Sequence, residues 1–474
     1  MKMRVQVVIE SEDGKPEVIQ EVASLERKSL QMKEFGLTLA EAKDVLQKLQ
    51  KTLIEQQSAE YLARNACCSD CGKHRLHKGI HKIVYRTLFG KLHLKSPRLY
   101  RCRCQPHKSK TFSPLAELLK ERSAPELLYV ESKFGALMSY GLTVEVLQQF
   151  LPIGASIYPT SIRNHLYGVA ERMEQEMGEE KGMFIEGCER EWGQLPQPDL
   201  PLTVGLDGGF VHSTEQTSRN DGWFEVIAGK SVTAENTSKR FAFVNSYDEK
   251  PKRRLFEILK SQGMQMNQQI TFLSDGGESA REVQLYLNPQ AEHFLDWFHI
   301  TMRLTVMKQM AKSLKWAEDE EDPIEEEPAL SDLALKEIKR IKWFLWHGNV
   351  VRALDSIEEV EDLVGSSQVS EESSRLQKAV DEFHTYIENN VERIPNFGER
   401  RRNREKVSTA FVESTVNQVI SKRMVKKQQM RWSRRGAHLL LQVRTRELNG
   451  DLRGTFDRWY SGAVRESETC EKVA

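Results

Sequence analysis

The sequence contains no apolar run near the roughly 20 residues needed to span a membrane, and Met1-Lys2-Met3 opens no signal-peptide pattern. These absences lead to the expectation of a soluble, cytoplasmic protein. Cysteine is scarce: there are seven in 474 residues, and five of them fall between Cys67 and Cys104. Such crowding argues against a disulfide framework and for metal binding. Net charge is missing as well, because 69 basic residues balance 69 acidic ones. The balance conceals local deficits. Residues 73–110 have no Asp or Glu beside 12 Lys and Arg, and residues 317–328 have no base beside eight acids. Residues 400–446 have only Glu405 and Glu413 beside 14 Lys and Arg. Blocks of opposite sign predict a polyanion-binding surface and an acidic linker; solvated helix faces are the plainer alternative.

At about 150 residues per domain, this length predicts roughly three domains. The chain is organised around residues 202–299. Thr203-Val204-Gly205-Leu206-Asp207-Gly208-Gly209 is a short apolar run that stops at an acid. Strand-like runs follow over 223–232 and 240–247, then an amphipathic segment with Leu255, Ile258 and Leu259. Ile270 to Leu273 leads into Ser274-Asp275-Gly276-Gly277, and His293-Phe294-Leu295-Asp296 opens a helix with Trp297-Phe298-His299. Apolar runs of strand length alternating later with helical patterns predict a mixed sheet in an α/β fold. An acid ending a buried strand is costly unless paired or bound to a cation. Asp207 and Asp275 together therefore point to a metal site.

Upstream, Val5 to Ile9 and Glu17 to Val22 read as a hairpin, and a helix starts at Thr38 with Glu41 completing a capping box. Val45, Leu46, Leu49 and Leu53 give that helix one apolar face, expected to pack within the chain or to pair two chains. Cys68-Ser69-Asp70-Cys71 and Cys102-Arg103-Cys104 flank a second hairpin that turns near Gly90. Two cysteine pairs so arranged fit a zinc ribbon with four thiolate ligands, Cys67 or His107 being alternatives for one of them. Thr143 to Phe150, a break at Pro152-Ile153-Gly154, and Thr160 to Leu166 read as a helix-turn-helix. Arg163 and Asn164 would then face a major groove; an ordinary helical pair is the alternative.

Past His299 the pattern is helical for about a hundred residues, with Trp343, Phe344, Leu345 and Trp346 expected in its core. Val412, Val416, Val419 and Ile420 then form an apolar helical face, and Glu413 and Asn417 lie on the adjoining line. The basic run that follows holds Lys422, Arg423, Lys426, Lys427, Arg431, Trp432, Arg434 and Arg435. It suits a DNA backbone, with Trp432 either stacked on a base or packed in the core.

Asp207, Asp275 and Glu413, on a first strand, a fourth strand and a late helix, resemble the acidic triad of DDE transposases with an RNase H-like core. Asp296-Trp297-Phe298-His299 resembles the C/D-x-x-H signature of Mutator-related members. The upstream cysteines and helical region are similar to those of Kra-type bacterial insertion-sequence transposases, and the likeness spans roughly residues 38–460. It implies an RNase H-like mixed sheet interrupted by an all-α insertion and preceded by a zinc ribbon and a helix-turn-helix region. The implied segments are 1–64, 65–110, 111–195, 196–300, 301–405 and 406–474. The implied activity is cleavage of DNA at element ends and strand transfer into target DNA, by a homo-oligomer in a bacterial, nucleoid-associated setting. Asp207, Asp275 and Glu413 would hold Mg²⁺ or Mn²⁺, Asp296, His299 and Asn417 would stand beside them, and Zn²⁺ would be structural. A nuclease or resolvase that cuts without joining, and an inactive DNA-binding regulator, are the competing expectations.

Overall fold

The computed structural model describes residues 1–10, 16–27, 32, 35–104, 110–154, 157–180, 194, 196, 202–215, 222–233, 235–265, 267–277, 291–316, 328–408, 410–425 and 430–461. Of the predicted acidic linker at 317–328, residues 317–327 lie outside this set, as do His107, Lys426 and Lys427. Among the described residues, no helix is long and apolar enough to cross a membrane.

The chain forms two compact units, Met1–Glu171 with Gly450–Ala474, and Arg172–Asn449. In the first, β1 (Lys2–Glu10) and β2 (Pro16–Glu26) pair antiparallel. Helix α1 (Leu39–Arg64) opens with Thr38 as N-cap, its hydroxyl accepting from the Glu41 N–H while the Glu41 carboxylate accepts from the Thr38 N–H. The apolar stripe of α1 departs from expectation: Leu46, Leu49 and Leu53 are 37%, 39% and 50% exposed. The face turned inward instead carries Ile54, Tyr61 and Leu62, which pack on Ile83, Leu92 and Leu94.

The hairpin consists of β3 (His77–Thr87) and β4 (Gly90–Tyr100), joined to a short β5 (Thr111–Phe112). Four helices follow: α2 (Pro114–Leu118), α3 (Pro125–Leu137), α4 (Tyr140–Phe150) and α5 (Pro159–Met177). Ser139 caps α4 by accepting from the Leu142 N–H.

The second unit is built on a five-stranded mixed sheet. Its strands are β6 (Leu202–His212), β7 (Trp223–Val232), β8 (Ser238–Val244), β9 (Ile270–Ser274) and β10 (Glu292–Leu295). Their spatial order is β10-β9-β6-β7-β8. The first three strands pair antiparallel, while β9 and β10 run parallel to β6. Strand β8 stops at Val244, short of the Tyr247 limit expected from sequence, because Tyr247 and Asp248 fold back to the Val244 carbonyl. On one face, Val204, Leu206 and Phe272 bury against Leu255 and Leu259 of α6 (Pro251–Ser261). Each such side chain contributes about 1.5–3 kcal/mol.

The opposite face meets a helical block. It comprises α7 (Trp297–Ala311), α8 (Leu330–Trp346), α9 (Val350–Gly365) and α10 (Glu371–Glu388), all sharing one core with Leu273, Phe294 and Leu295. Phe344 and Leu345 are buried there and Trp346 packs against them, but Trp343 is 58% exposed, contrary to expectation. Four consecutive residues cannot all face inward at 3.6 residues per turn.

After α11 (Phe397–Arg402) come α12 (Ala410–Val416), a π-helix over Asn417–Val425, and α13 (Arg434–Leu448). The last helix, α14 (Leu452–Tyr460), does not join the sheet as sequence suggested. It packs on α3 in the first unit, where Phe456 meets Tyr129 and Arg453 pairs with Glu126 at 2.8 Å.

Candidate metal centres

Pairing register fixes where the acids fall. Gly205 pairs with Leu273 and Leu295 with Ser274, so continuing the parallel registers sets Asp207, midway along β6, level with Asp275 and Asp296, the residues just past the ends of β9 and β10. Alternation of side chains turns all three to the same face. The loops past the ends of parallel strands are where open α/β sheets hold ligands.

That face of β6 is flattened by glycine. A Cβ on Gly205 would stand 2.2 Å from Val412 Cγ2, and one on Gly209 would stand 3.0 Å from Ile420 Cδ1. Residues 410–425 can therefore lie directly over β6, and Glu413 follows Val412 at its exposed edge. Val412, Val419 and Ile420 are buried as the 3.6-residue pattern implied, but the chain is wound as a π-helix from Asn417 onward. The simple line joining Glu413 to Asn417 consequently holds only up to that switch. No hydrogen bond or ion pair joins Glu413 to Asp207 or Asp275 among the described residues.

The acids are only partly compensated by protein groups. Asp207, whose side chain is 15% exposed, accepts a 2.8 Å bond from the Gly208 N–H, and Asp275 accepts one of 3.0 Å from Gly277. Asp296 is fully buried; its Oδ1 caps α7 through the Phe298 N–H and its Oδ2 holds His299 Nδ1 at 2.8 Å. An ionised carboxylate only accepts, so Nδ1 carries the proton and Nε2 faces Asp207 Oδ1 at 4.0 Å. Burial pushes the Asp207 carboxyl above its ordinary range, Asp275 and Asp296 add to the rise, and His299 with the Gly208 N–H opposes it. The Asp296 hydrogen bond holds the His299 imidazolium above its ordinary value, with Asp207 and Asp275 assisting. Asp207 is a hard oxygen donor whose ionised form burial disfavours, and such a donor with Asp275 nearby suits a divalent cation.

Sequence reading missed the groups beside Asp275. Asn390 Oδ1 would stand 3.0 Å from a Cβ on Gly276, and Arg303 lies over the Tyr386 ring at 4.4 Å. Burial, together with Asp275 and Asp296, pushes the Tyr386 hydroxyl up against the opposing pull of Arg303. These side chains come from the helical block, and no local motif announces them. The Gly-x-Asp-x-Gly spacing around Asp207 was a readable signal for close helix approach.

The second centre is the cysteine quartet. The Sγ atoms of Cys68, Cys71, Cys102 and Cys104 lie within 4.8 Å of one another, with Cys68 3.5 Å from Cys104 and Cys71 3.4 Å from Cys102. The first pair sits on a tight knuckle in which the Gly72 N–H donates to the Cys68 carbonyl at 2.9 Å. Backbone N–H groups of Asp70 and Cys71 lower the Cys68 thiol to about 6, and that of Cys104 lowers Cys102, whereas the neighbouring sulfurs push Cys104 up. This group can hold one metal ion. Cys67 stands outside it, its backbone bridged to His74.

Glu174, Asp248 and His438 also converge, but Arg254 already stands among them, 2.9 Å from both Glu174 Oε1 and Asp248 Oδ2. The guanidinium supplies the positive charge, so this is an internal ion-pair network.

The basic run is divided between surface and interior. Lys422, Arg431 and Arg435 are exposed. Arg423, expected to meet DNA, is 0% exposed, and Trp432 is 4% exposed beneath its guanidinium at 5.2 Å. The reason is backbone pairing: the Trp432 N–H donates to His212 O and its carbonyl accepts from the Thr214 N–H, which zips this segment to the end of β6. Arg434 is engaged by Glu215 at 2.5 Å and by Ser246 at 3.2 Å. Arg163 and Asn164 are exposed on α5. Compared with family models and with curated proteins, the chain matches none.

Proposed function

We propose that this protein is a DNA transposase of the DDE class, with an RNase H-like core that uses divalent ions to cut DNA at element ends and join the cut strand to target DNA. The observation that carries the reading is the register of two adjacent parallel strands, which sets Asp207 of β6 level with Asp275 just past the end of β9, beneath the helix that bears Glu413. The strand order, with three antiparallel strands followed by two parallel ones, supports the RNase H-like assignment. The helical block after β10 supports the family's insertion, and the exposed basic hairpin supports contact with phosphates. The cysteine quartet suits structural Zn²⁺, and α4 with α5 suits a helix-turn-helix.

Asp207, Asp275 and Glu413 would hold Mg²⁺ or Mn²⁺. The chemistry supplied by two such ions, when bound, would be activation of a water or a 3′-hydroxyl and stabilisation of the leaving oxygen in an in-line displacement. Asp296 orients His299 toward Asp207 and favours its protonated form beside the acids. Strand cleavage and joining assays on DNA flanked by the element's ends test the proposal. Asp207→Asn and Asp275→Asn should abolish both products and leave end binding intact. Cleavage without joining would assign a nuclease instead, and full activity in either variant would refute the reading.

A second check needs no DNA. Because the folded-state value of Asp207 is raised, its charged form destabilises the metal-free protein at neutral pH. Asp207→Asn should therefore melt higher than wild type without divalent ions. That difference should vanish as pH falls through the Asp207 value, where the wild-type carboxyl is neutral too.

A further inference from the structure

A cavity of about 310 Å³ lies in the first unit, between the tip of the β3–β4 hairpin and helices α3 and α5. Its size is at the small end of the roughly 300–1,000 Å³ range of ligand pockets. Ile153 and Ile157 form apolar wall, and Tyr158, 60% exposed, stands at the opening. The Glu131 carboxylate is 1% exposed and hydrogen-bonds His165 Nδ1 through Oε2. No other hydrogen bond reaches the Glu131 carboxylate among the described residues, so Oε1 and the second lone pair of Oε2 remain for two donors entering the cavity. Arg86 and Lys91 are exposed at the rim, and neither forms an ion pair among the described residues.

A buried acceptor, apolar walls, an aromatic at the mouth and two cations outside describe one chemical class. We propose that this cavity binds a nucleotide with an unpaired base, the base inserted toward Glu131 and the phosphate held by Arg86 and Lys91. Extruded bases are read through their pairing edge and by stacking, both of which this cavity offers. An ionised carboxylate only accepts hydrogen bonds. Guanine alone among the four bases presents two adjacent donors, N1–H and N2–H, on that edge. The cavity is therefore selective for guanine. The nucleotide can be free or part of a strand running along the basic hairpin, and the inference does not depend on chemistry at Asp207.

The test is a calorimetric titration of the full-length protein with dGMP, dAMP, dCMP and dTMP, and with short single strands that contain or lack one guanine. Wild type should bind dGMP about tenfold or more tighter than dAMP, the discrimination a good two-point contact provides. Glu131→Gln should erase that preference. Tyr158→Ala, at an exposed position that folding does not require, should weaken all four nucleotides by roughly fivefold or more. Equal affinity for dGMP and the guanine strand identifies the free nucleotide as ligand. A strand bound much more tightly, with the excess lost in an Arg86→Ala/Lys91→Ala variant, identifies DNA. No saturable dGMP or guanine-strand binding up to about 10 mM, or unchanged binding in both Glu131→Gln and Tyr158→Ala, overturns the proposal. In that event the Glu131–His165 pair serves only to join α3 to α5.

Discussion

The two basic stretches look alike in sequence and differ in the fold. In residues 73–110, Lys78, Lys82, Arg86, Lys91, Lys95 and Arg98 are exposed, while Ile83, Leu92, Leu94 and Leu99 between them are buried. A two-residue period on a half-buried hairpin leaves its charges in water. The described basic residues among 400–446 divide their charge between surface and interior. Arg401, Arg402, Lys422 and Arg435 face solvent, but Arg423 and Arg444 are 0% and 4% exposed. Arg444 Nε donates to the Val419 carbonyl at 2.9 Å and its Nη2 to Gln418, inside the π-helix that carries Ile420 over β6. Burial, with Arg423 nearby, lowers Arg444 to about 10. Equal charge in a sequence thus becomes a surface in one place and an internal brace in the other.

The largest expected effect concerns the base of the hairpin. Structural zinc supplies about 10–16 kcal/mol to small modules, and the cysteine quartet is proposed to hold it. Stripping metal with a chelator, or Cys71→Ser, should unfold roughly residues 65–110 and abolish protection of the hairpin amides in hydrogen exchange. A module that remains folded with well under one zinc per chain by elemental analysis would separate the exposed surface from metal altogether.

Next is the brace. Arg444→Ala removes charge-assisted bonds to carbonyls that have no water to replace them, and should cost about 1.5–3 kcal/mol in denaturant unfolding. Lys95→Ala on the hairpin should stay within about 0.5 kcal/mol. Similar losses at the two positions would erase the distinction.

The smallest effect is on DNA. Lys82→Gln and Lys95→Gln should each reduce the log–log salt slope of duplex binding by up to about 0.9, one phosphate's worth. Arg423→Gln in protein that stays folded should leave the slope unchanged, because that side chain does not reach solvent.

Legibility followed the range of the physics. The Thr38–Glu41 capping box and the apolar run ending at Asp275 are local patterns and appear as read, whereas the strand expected to stop at Asp207 runs on to His212. The Val412–Ile420 face was readable because apolar side chains need only a partner surface. The burial of Arg423 was not, and the choice between base and core for Trp432 stayed open, since Trp432 is set by a strand bridge to His212 more than 200 positions away. The π-helix from Asn417, the packing of α14 on α3 and the Tyr386–Arg303 pair beside Asp275 likewise arise from contacts between distant segments.

The central claim is that Asp207, Asp275 and Glu413 form a divalent-metal site. The most direct measurement is a Mn²⁺ titration followed by electron paramagnetic resonance, on zinc-loaded wild type and on Asp207→Asn, Asp275→Asn and Glu413→Gln. The account predicts saturable Mn²⁺ binding in wild type, competed by Mg²⁺ and weakened about tenfold or more in each variant. Mn²⁺ binding of equal strength in wild type and all three variants would contradict it.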